Sequence, residues 1–240
     1  MNARWKFWLI TFSAMLAVLC TLALGRWQLS RAAQKEALQA RIDVQATRPA
    51  LAGQLLALLP DPSTELARGV TLRGRWIAAH SVFLDNRQMN NKPGLYVVTP
   101  LALEGSSAVV VVQRGWVARN FIDRTRVPPI ETPTGVVEIQ GRIALPPSKL
   151  YEFAGPETGR IRQNLDMTRF SGELGVPLLA VSVVQLGPAS DGLLREWPLV
   201  STGVEKHYGY AFQWFALSAL IAILYVWFQI VRRYILPGRR

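Results

Sequence analysis

The chain contains two histidines, and His207 has the more informative position. It opens a long apolar segment, and Tyr210 and Trp214 follow it at helical spacing. Neutral imidazole is a good axial ligand for haem iron, and flanking aromatic rings suit a planar macrocycle. The same residue types also form ordinary belts where membranes meet water. The residues alone therefore leave two interpretations of His207, a haem ligand and a belt residue.

The helix pitch favours one apolar face beneath this imidazole. A helix that starts near residue 207 places on one side His207, either Tyr210 or Ala211, Trp214, Ser218 and Ile221. The other histidine, His80, stands between two predicted strands and has the context of a turn residue. The chain has no GxSxG, no HExxH and no glycine-rich phosphate loop, so nothing in it argues for an enzyme.

Two uncharged apolar runs are long enough to cross a membrane as helices. They cover residues 7–24 and 210–230, which at 1.5 Å per residue corresponds to about 27 and 32 Å. A cleaved signal peptide is the alternative for the first run, because a basic segment precedes it and Ala23 and Gly25 at its end match the small residues of a cleavage site. The length of the run, together with Arg26, Trp27 and Arg31 directly after it, favours an uncleaved anchor.

The distribution of charge predicts the orientation of the chain. All 16 acidic residues lie between Arg26 and Lys206, whereas the two short tails carry only basic residues, namely Arg4, Lys6, Arg232, Arg233, Arg239 and Arg240. Short basic flanks stay in the cytoplasm, so we expect both termini inside and the central domain exported. The net charge of +11 is therefore explained by topology, and no nucleic-acid partner is expected. Cys20, the single cysteine, lies in the first run, so the exported domain has no disulfide or thiolate metal site.

The sequence of the exported domain is typical of a β-rich fold. Strands are predicted at 69–77, 81–88, 95–103, 108–120, 136–145 and 178–186, with glycine, proline and asparagine turns between them. They indicate an antiparallel barrel or sandwich. A short helix is expected between Asp166 as its N-cap and Gly175 as its stop. A further helical stretch follows the first span.

Arg114 and Trp116 come just after the run of valines in the fourth predicted strand and are candidate contact residues. An arginine in this position can bind an anionic group in a bidentate manner. The alternative is an ion pair with Asp85 or Asp123 at the rim of the sheet.

Several motifs together resemble a known family. "GRWQLSR", "FLDNR" followed by "KPGLYVVTPL", "VVVQRGWV", "RQNLD" and "HYGYAFQWFAL" occur in the order and at the spacings of the surfeit-locus-one family of cytochrome c oxidase assembly factors. The resemblance implies two transmembrane helices, a β-rich domain on the outer face of the membrane, and a role in supplying haem a to the oxidase catalytic subunit. In bacterial members the histidine that opens the second span is assigned as a haem a ligand, which corresponds to His207, and Trp214 matches the aromatic residue below it.

These inferences combine into one expectation for the whole chain. We expect a membrane protein with two transmembrane α-helices flanking an exported β-rich domain of α+β type, divided into a cytoplasmic tail (1–6), a first span (7–25), the exported domain (26–206), a second span (207–230) and a basic cytoplasmic tail (231–240). His207 is expected to ligate haem a, with Tyr210, Trp214 and Trp27 against the macrocycle.

The expected partners follow from the same resemblance. They are the oxidase catalytic subunit, the enzyme of haem a synthesis and membrane lipids, with Arg114 and Trp116 on the docking surface, in a bacterial inner membrane. A scaffold that stabilises a nascent oxidase subunit without haem is the main alternative. An enzyme acting on haem or lipid is a second one.

Overall fold

The computed structural model of the chain describes residues 3–123, 125–151, 159–198 and 203–235. Its helices are α1 (Ala3–Thr47), α2 (Gly53–Leu58), α3 (Met167–Leu174) and α4 (Val204–Tyr225), with 3₁₀ turns at Pro62–Glu65 and Ala78–His80 and a π-helical continuation of α4 at Val226–Ile235. Its strands are β1 (Leu51–Ala52), β2 (Gly69–Trp76), β3 (Val82–Met89), β4 (Lys92–Leu103), β5 (Val109–Ala118), β6 (Val136–Ala144), β7 (Ile161–Arg162) and β8 (Leu178–Gln185).

The chain divides into two compact units. One comprises residues Met1–Ala40 and Val200–Arg240, and the other comprises Arg41–Leu199. Two helices are long and apolar enough to cross a membrane by length and composition, Arg4–Thr47 and Val204–Arg232. The two predicted spans fall within them. The predicted tail 1–6 belongs to α1 from Ala3 onward, and the tail beyond Ile235, with Arg239 and Arg240, lies outside the described residues.

Within the first unit, α1 and α4 run antiparallel and touch along one seam. Thr11 contacts Tyr225 through their hydroxyls at 2.9 Å, and Gln28 contacts His207 further along. The buried positions of α1 recur at intervals of three or four residues, as in a coiled coil. Several of them are small, which lets two helix backbones approach closely in an apolar medium. The buried residues of the two helices are Thr21, Gly25, Ala32, Ala211 and Ser218.

Gly25 shows how close this approach is. A Cβ atom added to Gly25 would lie 2.6 Å from Cε1 of Phe215, nearer than real Cβ contacts allow. The absence of a side chain at this position therefore lets the Phe215 ring rest directly on α1.

The second unit is built on a closed five-stranded barrel. The strands pair in the order β2–β6–β8–β5–β4, and β4 returns to β2 through the pairs Gly74–Leu103 and Trp76–Leu101. Alternate side chains of these strands fill the interior. The interior cluster is apolar and consists of Leu51, Leu56, Val70, Leu72, Leu101, Leu103, Val110, Val112, Ile139, Ile143, Val181 and Val183. The six predicted strands and the β-rich class are confirmed.

One ladder of the barrel differs from the antiparallel sheet that the sequence indicated. β5 and β8 are parallel, whereas the other four ladders of the barrel are antiparallel. The physical reason is parity, because a closed ring with an odd number of strands cannot alternate in direction all the way round. β8 enters between two strands of opposite direction and must be parallel to one of them.

Outside the barrel, β3 extends the sheet along β4, and α3 covers it. Phe170 of α3 packs on a cluster that includes Leu84, Val98 and Val111. The predicted ends of α3 are confirmed. Asp166 accepts hydrogen bonds from the backbone N–H groups of Thr168 and Arg169, and Gly175 ends the helix in the left-handed conformation at φ 69°.

Candidate functional site

His207 lies in the first turn of α4, and its ring is fixed by a residue of α1. Nδ1 of His207 is 2.7 Å from Oε1 of Gln28, and both side chains are half-buried. In the tautomer with its proton on Nδ1, the imidazole donates to the amide oxygen, and the lone pair of Nε2 is then available. Nε2 makes no hydrogen bond to any residue that the structure describes. The contact therefore orients the ring and leaves one basic nitrogen for a ligand.

The structure decides which neighbours share the face of His207. Ala211 is 2% exposed and lies in the seam, whereas Tyr210 is 53% exposed. Trp214 is half-buried, two turns below His207 on the same side. Of the two residues that helical pitch allowed beside His207, Ala211 therefore faces α1, and Tyr210 points towards the surroundings of the helix pair.

Trp27 stands next to the residue that contacts His207, and it lies outside the seam. It is 55% exposed. Successive residues of a helix differ by about 100° in direction, so only one of Trp27 and Gln28 can face α4. We expected the first span and Trp27 to supply the wall opposite the aromatic face of α4. The contact of Trp27 with a macrocycle stays a prediction, and the residue that faces α4 is Gln28. The motif "GRWQLSR" contained this residue, but sequence reasoning passed over it because amides are common and its partner is distant in sequence.

A second polar contact continues the seam beyond this pair. The hydroxyl of Tyr208 donates a hydrogen bond of 2.8 Å to Oε1 of Glu36. Gln28 and Glu36 are two turns apart on α1, so the two contacts hold the beginning of α4 at two points. The position of His207 is thus set by side chains of α1 as well as by its own helix.

Arg114, a predicted docking residue, is completely buried. Its guanidinium donates hydrogen bonds of 2.7 Å to Thr132 Oγ1 and to the carbonyl of Glu131, and it is 3.3 Å from Asp191 Oδ2. It also lies 4.8 Å from the ring centroid of Trp76. Burial lowers the pKa of Arg114, and the charge of Asp191 acts in the opposite direction. The side chain therefore supports the fold and offers no surface to a partner.

The expected ion pair of Arg114 forms with a different carboxylate. Asp191 takes the place of Asp85 or Asp123. Asp85 instead pairs with Arg119, and Asp123 accepts hydrogen bonds from Thr125. Asp191 follows β8 in a loop, so a pairing with β5 depends on the closure of the barrel. The sequence around Arg114 therefore could not indicate that Asp191 is its partner.

Trp116, the other predicted docking residue, is 4% exposed. Its indole N–H donates to the carbonyl of Arg87 at 3.0 Å. A Cβ atom added to Gly94 would lie 2.4 Å from the indole, which shows how closely the ring covers that glycine. Both candidate docking side chains are thus internal, because β5 is covered on its two faces.

Comparison with known proteins adds an independent observation. A model of the SURF1 family matches residues 15–219. The chain belongs to the SURF1 family. Three relatives called SURF1-like protein are each 27% identical, from Drosophila melanogaster (89% of this chain and 75% of the relative), Rickettsia conorii (94% and 90%) and Rickettsia felis (91% and 93%). The SURF1 family is known generally for cytochrome c oxidase assembly factors. The resemblance of this chain to the surfeit-locus-one family, first seen in its motifs, is thereby confirmed.

The SURF1 match includes Gln28, His207 and Trp214. The donor set of this SURF1 protein fits a haem better than a bare metal ion. A bare ion needs three or more side-chain ligands, and the described residues hold no such group of His, Cys, Asp and Glu. A haem brings four nitrogen ligands of its own, so one neutral imidazole suffices on one side. Nε2 of His207 is such a donor.

Proposed function

We propose that this protein binds haem a at the membrane surface through His207 and assists its insertion into the catalytic subunit of cytochrome c oxidase. The observation that carries the proposal is the contact of Nδ1 with Gln28, which leaves Nε2 as a free donor in a SURF1 protein with two candidate spans. Metal-binding histidines almost always use their second nitrogen in such a hydrogen bond.

The same geometry suits a protein that passes its cargo on. His207 is the one histidine of the unit that contains the helix pair, and the aromatic side chains of Tyr210 and Trp27 are about half exposed. A planar macrocycle can pack on such rings without being enclosed. Binding through one ligand and open aromatic faces favours release to a partner with more ligands. The proposed role is non-catalytic, in keeping with the SURF1 family, which is known generally for assembly factors.

The proposal includes an orientation in the bacterial inner membrane. We place both termini in the cytoplasm and residues 26–206 in the periplasm, because the tails carry basic residues and no acidic ones. His207 then lies at the periplasmic boundary. An alkaline phosphatase reporter, active only outside the cytoplasm, should be inactive at the C-terminus and active after residue 106. The reverse pattern would overturn the orientation.

The test of haem binding compares absorption spectra of three full-length proteins purified in detergent after co-expression with haem a synthesis. The parent should show a Soret band and a reduced α-band. His207→Ala should lose both. His80→Ala is the matched control, because His80 is the other histidine of the chain and belongs to the barrel unit, and it should keep them.

Each result has a definite meaning for the proposal. A colourless parent under haem-replete conditions would refute haem binding and favour the haem-free scaffold, which should still co-purify with the oxidase subunit. Equal colour in the parent and in His207→Ala would refute His207 as the ligand. Loss of colour in His80→Ala alone would move the site to the barrel unit.

A further inference from the structure

A cavity in the barrel unit is surrounded by titratable side chains that take no part in the proposed haem site. Its volume is about 90 Å³, and residues of the 3₁₀ turn Ala78–His80, of β7 and of α3 contribute to its walls. The polar residues that line it are His80, Ser81, Arg160, Arg162 and Glu173. All of them belong to the same unit and to the described part of the chain. The cavity is therefore a candidate binding site within one unit.

One wall of this cavity is an ion pair between β7 and α3. Nη1 and Nη2 of Arg162 donate hydrogen bonds of 3.2 and 2.6 Å to the two carboxylate oxygens of Glu173, and Arg162 is buried. Nε of Arg169 is a further 3.4 Å from Oε1 of Glu173. One carboxylate is thus shared by two arginines. Both of its oxygens are occupied, and a net positive charge remains at this wall.

Arg160 and His80 add donors that no described residue uses. The guanidinium of Arg160 lies 5.6 Å from the ring centroid of the buried Phe83, and it makes no hydrogen bond or ion pair with any described residue. The backbone carbonyl of Arg160 accepts from the N–H of Phe83 at 2.7 Å, which anchors this residue to β3. The half-buried ring of His80 likewise makes no hydrogen bond within the described part of the chain. Both side chains therefore present N–H groups that a ligand can use.

The charge and the size of the cavity favour an oxyanion over a metal ion or a larger ligand. Three arginines and His80 stand against the single carboxylate of Glu173, whereas hard divalent cations need several oxygen ligands. Liquid water takes up ~30 Å³ per molecule, so the cavity has room for about three waters. A phosphate group is of this size. As a monoester it carries a charge of about −1.5 to −2 at neutral pH, which matches the surplus positive charge.

We propose that this cavity binds a phosphate group, with Arg160 and His80 as its hydrogen-bond donors and Arg162 as part of the positive wall. A guanidinium donates two parallel hydrogen bonds to a phosphate, and an imidazole N–H adds a third. Free phosphate and a phosphate monoester share this chemistry and differ in the group attached to the phosphorus. The site is separate from His207, and it goes beyond the proposed function.

The test uses the two histidines of the chain as reporters. Full-length protein in detergent, with isotope-labelled histidine rings, gives one nuclear magnetic resonance signal for His80 and one for His207. His207→Ala, which loses one signal, assigns the two. Inorganic phosphate or glycerol 3-phosphate is added at constant pH, and sodium chloride of equal ionic strength is the control for screening. His207 is an internal control, because it belongs to the other unit.

We expect both phosphates to shift the His80 signal until it saturates and to leave the His207 signal unchanged. Arg160→Gln should raise the dissociation constant about tenfold, the effect of losing a charge-assisted hydrogen bond to an anion. Arg160 is exposed, so this variant should keep the circular dichroism spectrum of the parent. Arg75→Gln is the matched control and should bind as the parent does, since Arg75 is an exposed arginine of β2 that lies outside the cavity.

The two ligands identify the source of the phosphate. Tighter binding of inorganic phosphate would identify the free ion as the occupant, and tighter binding of glycerol 3-phosphate would identify an ester; each result supports the site. The proposal is overturned if neither phosphate moves the His80 signal or if sodium chloride moves it equally. It is also overturned if Arg160→Gln binds phosphate as tightly as the parent.

Discussion

Replacing Gln28 by leucine should weaken haem binding without removing the iron ligand. Leucine has a similar volume and keeps the helix, but it cannot accept the hydrogen bond from Nδ1 of His207, which measures 2.7 Å. The imidazole then rotates more freely, and either nitrogen can carry the proton. Loss of such a supporting contact typically lowers the affinity for metal about 10- to 100-fold, or about 1.4–2.7 kcal/mol.

The dissociation constant is measured by titrating haem into the full-length protein in detergent and following the Soret band. Gln28→Glu should bind more tightly than the parent, because a carboxylate accepts the Nδ1 proton more strongly and makes the iron-binding nitrogen more basic. Gln34→Leu is the matched control. Gln34 is exposed on the same helix, and its amide oxygen accepts from Arg31 at 2.9 Å, so this variant should bind haem as the parent does.

A double-mutant cycle separates support of the histidine from a general effect on the helix pair. In a His207→Ala background, Gln28→Leu should cause no further change in the weak residual binding. An unchanged affinity in Gln28→Leu, with helix content equal to that of the parent by circular dichroism, would refute the reasoning. An equal loss in both backgrounds would also refute it, because Gln28 would then act without His207.

Two further predictions concern the barrel unit. Arg114→Met removes the buried guanidinium and should lower the free energy of unfolding by about 3 kcal/mol. This is near the lower limit for breaking a buried ion pair, because Asp191 keeps its second partner, Arg195. The control Arg73→Met, at an exposed ion pair, should change the free energy of unfolding by less than about 1 kcal/mol, and equal effects of the two variants in urea titrations followed by tryptophan fluorescence would contradict the structural role of Arg114. The backbone N–H of Arg169, and then Lys149, lower the pKa of Asp166 from 3.8, so its stabilising effect is present above that value and is lost as the pH falls through the lower folded pKa. Asp166→Asn should therefore flatten the acid side of the stability curve while keeping the cap, and an unchanged acid side would show that this carboxylate carries no pH dependence.

The fold was predictable to the level of its elements because its signals are local. Alternation along β2, the unbroken valines of β5 and the cap residues of α3 each report on their own segment. Closure of the barrel is not local. The pairing of Gly74 with Leu103, and the insertion of β8 between β5 and β6, depend on residues far apart in sequence. The parallel ladder followed only from the number of strands in the closed ring.

In the candidate site, too, residues with a local sequence signal were predicted and a residue defined by a long-range contact was not. His207 and Trp214 were found because a rare residue type and helical spacing mark them. Gln28 was missed, although among the described residues its amide is the hydrogen-bond partner of the His207 ring. The signal that was available is the interval of three and four residues that links Thr21, Gly25, Gln28 and Ala32 on α1. This pattern selects Gln28 over Trp27, and it becomes visible only when small and polar residues are counted with apolar ones.

The two polar contacts at the ends of the helix pair are separated by about the thickness of the hydrocarbon core of a bilayer. Thr11 donates to the carbonyl of Phe7, so Tyr225 is left to donate to the Thr11 hydroxyl at the other end of the seam. Tyr225 and His207 are 18 residues apart on α4, or about 27 Å, which is close to the thickness of the hydrocarbon core. The stretch between them packs through small residues such as Ala211 and Ser218. If the helix pair spans the bilayer and His207 binds haem as we propose, the haem would reach or leave its ligand from the boundary between water and lipid without crossing the membrane interior.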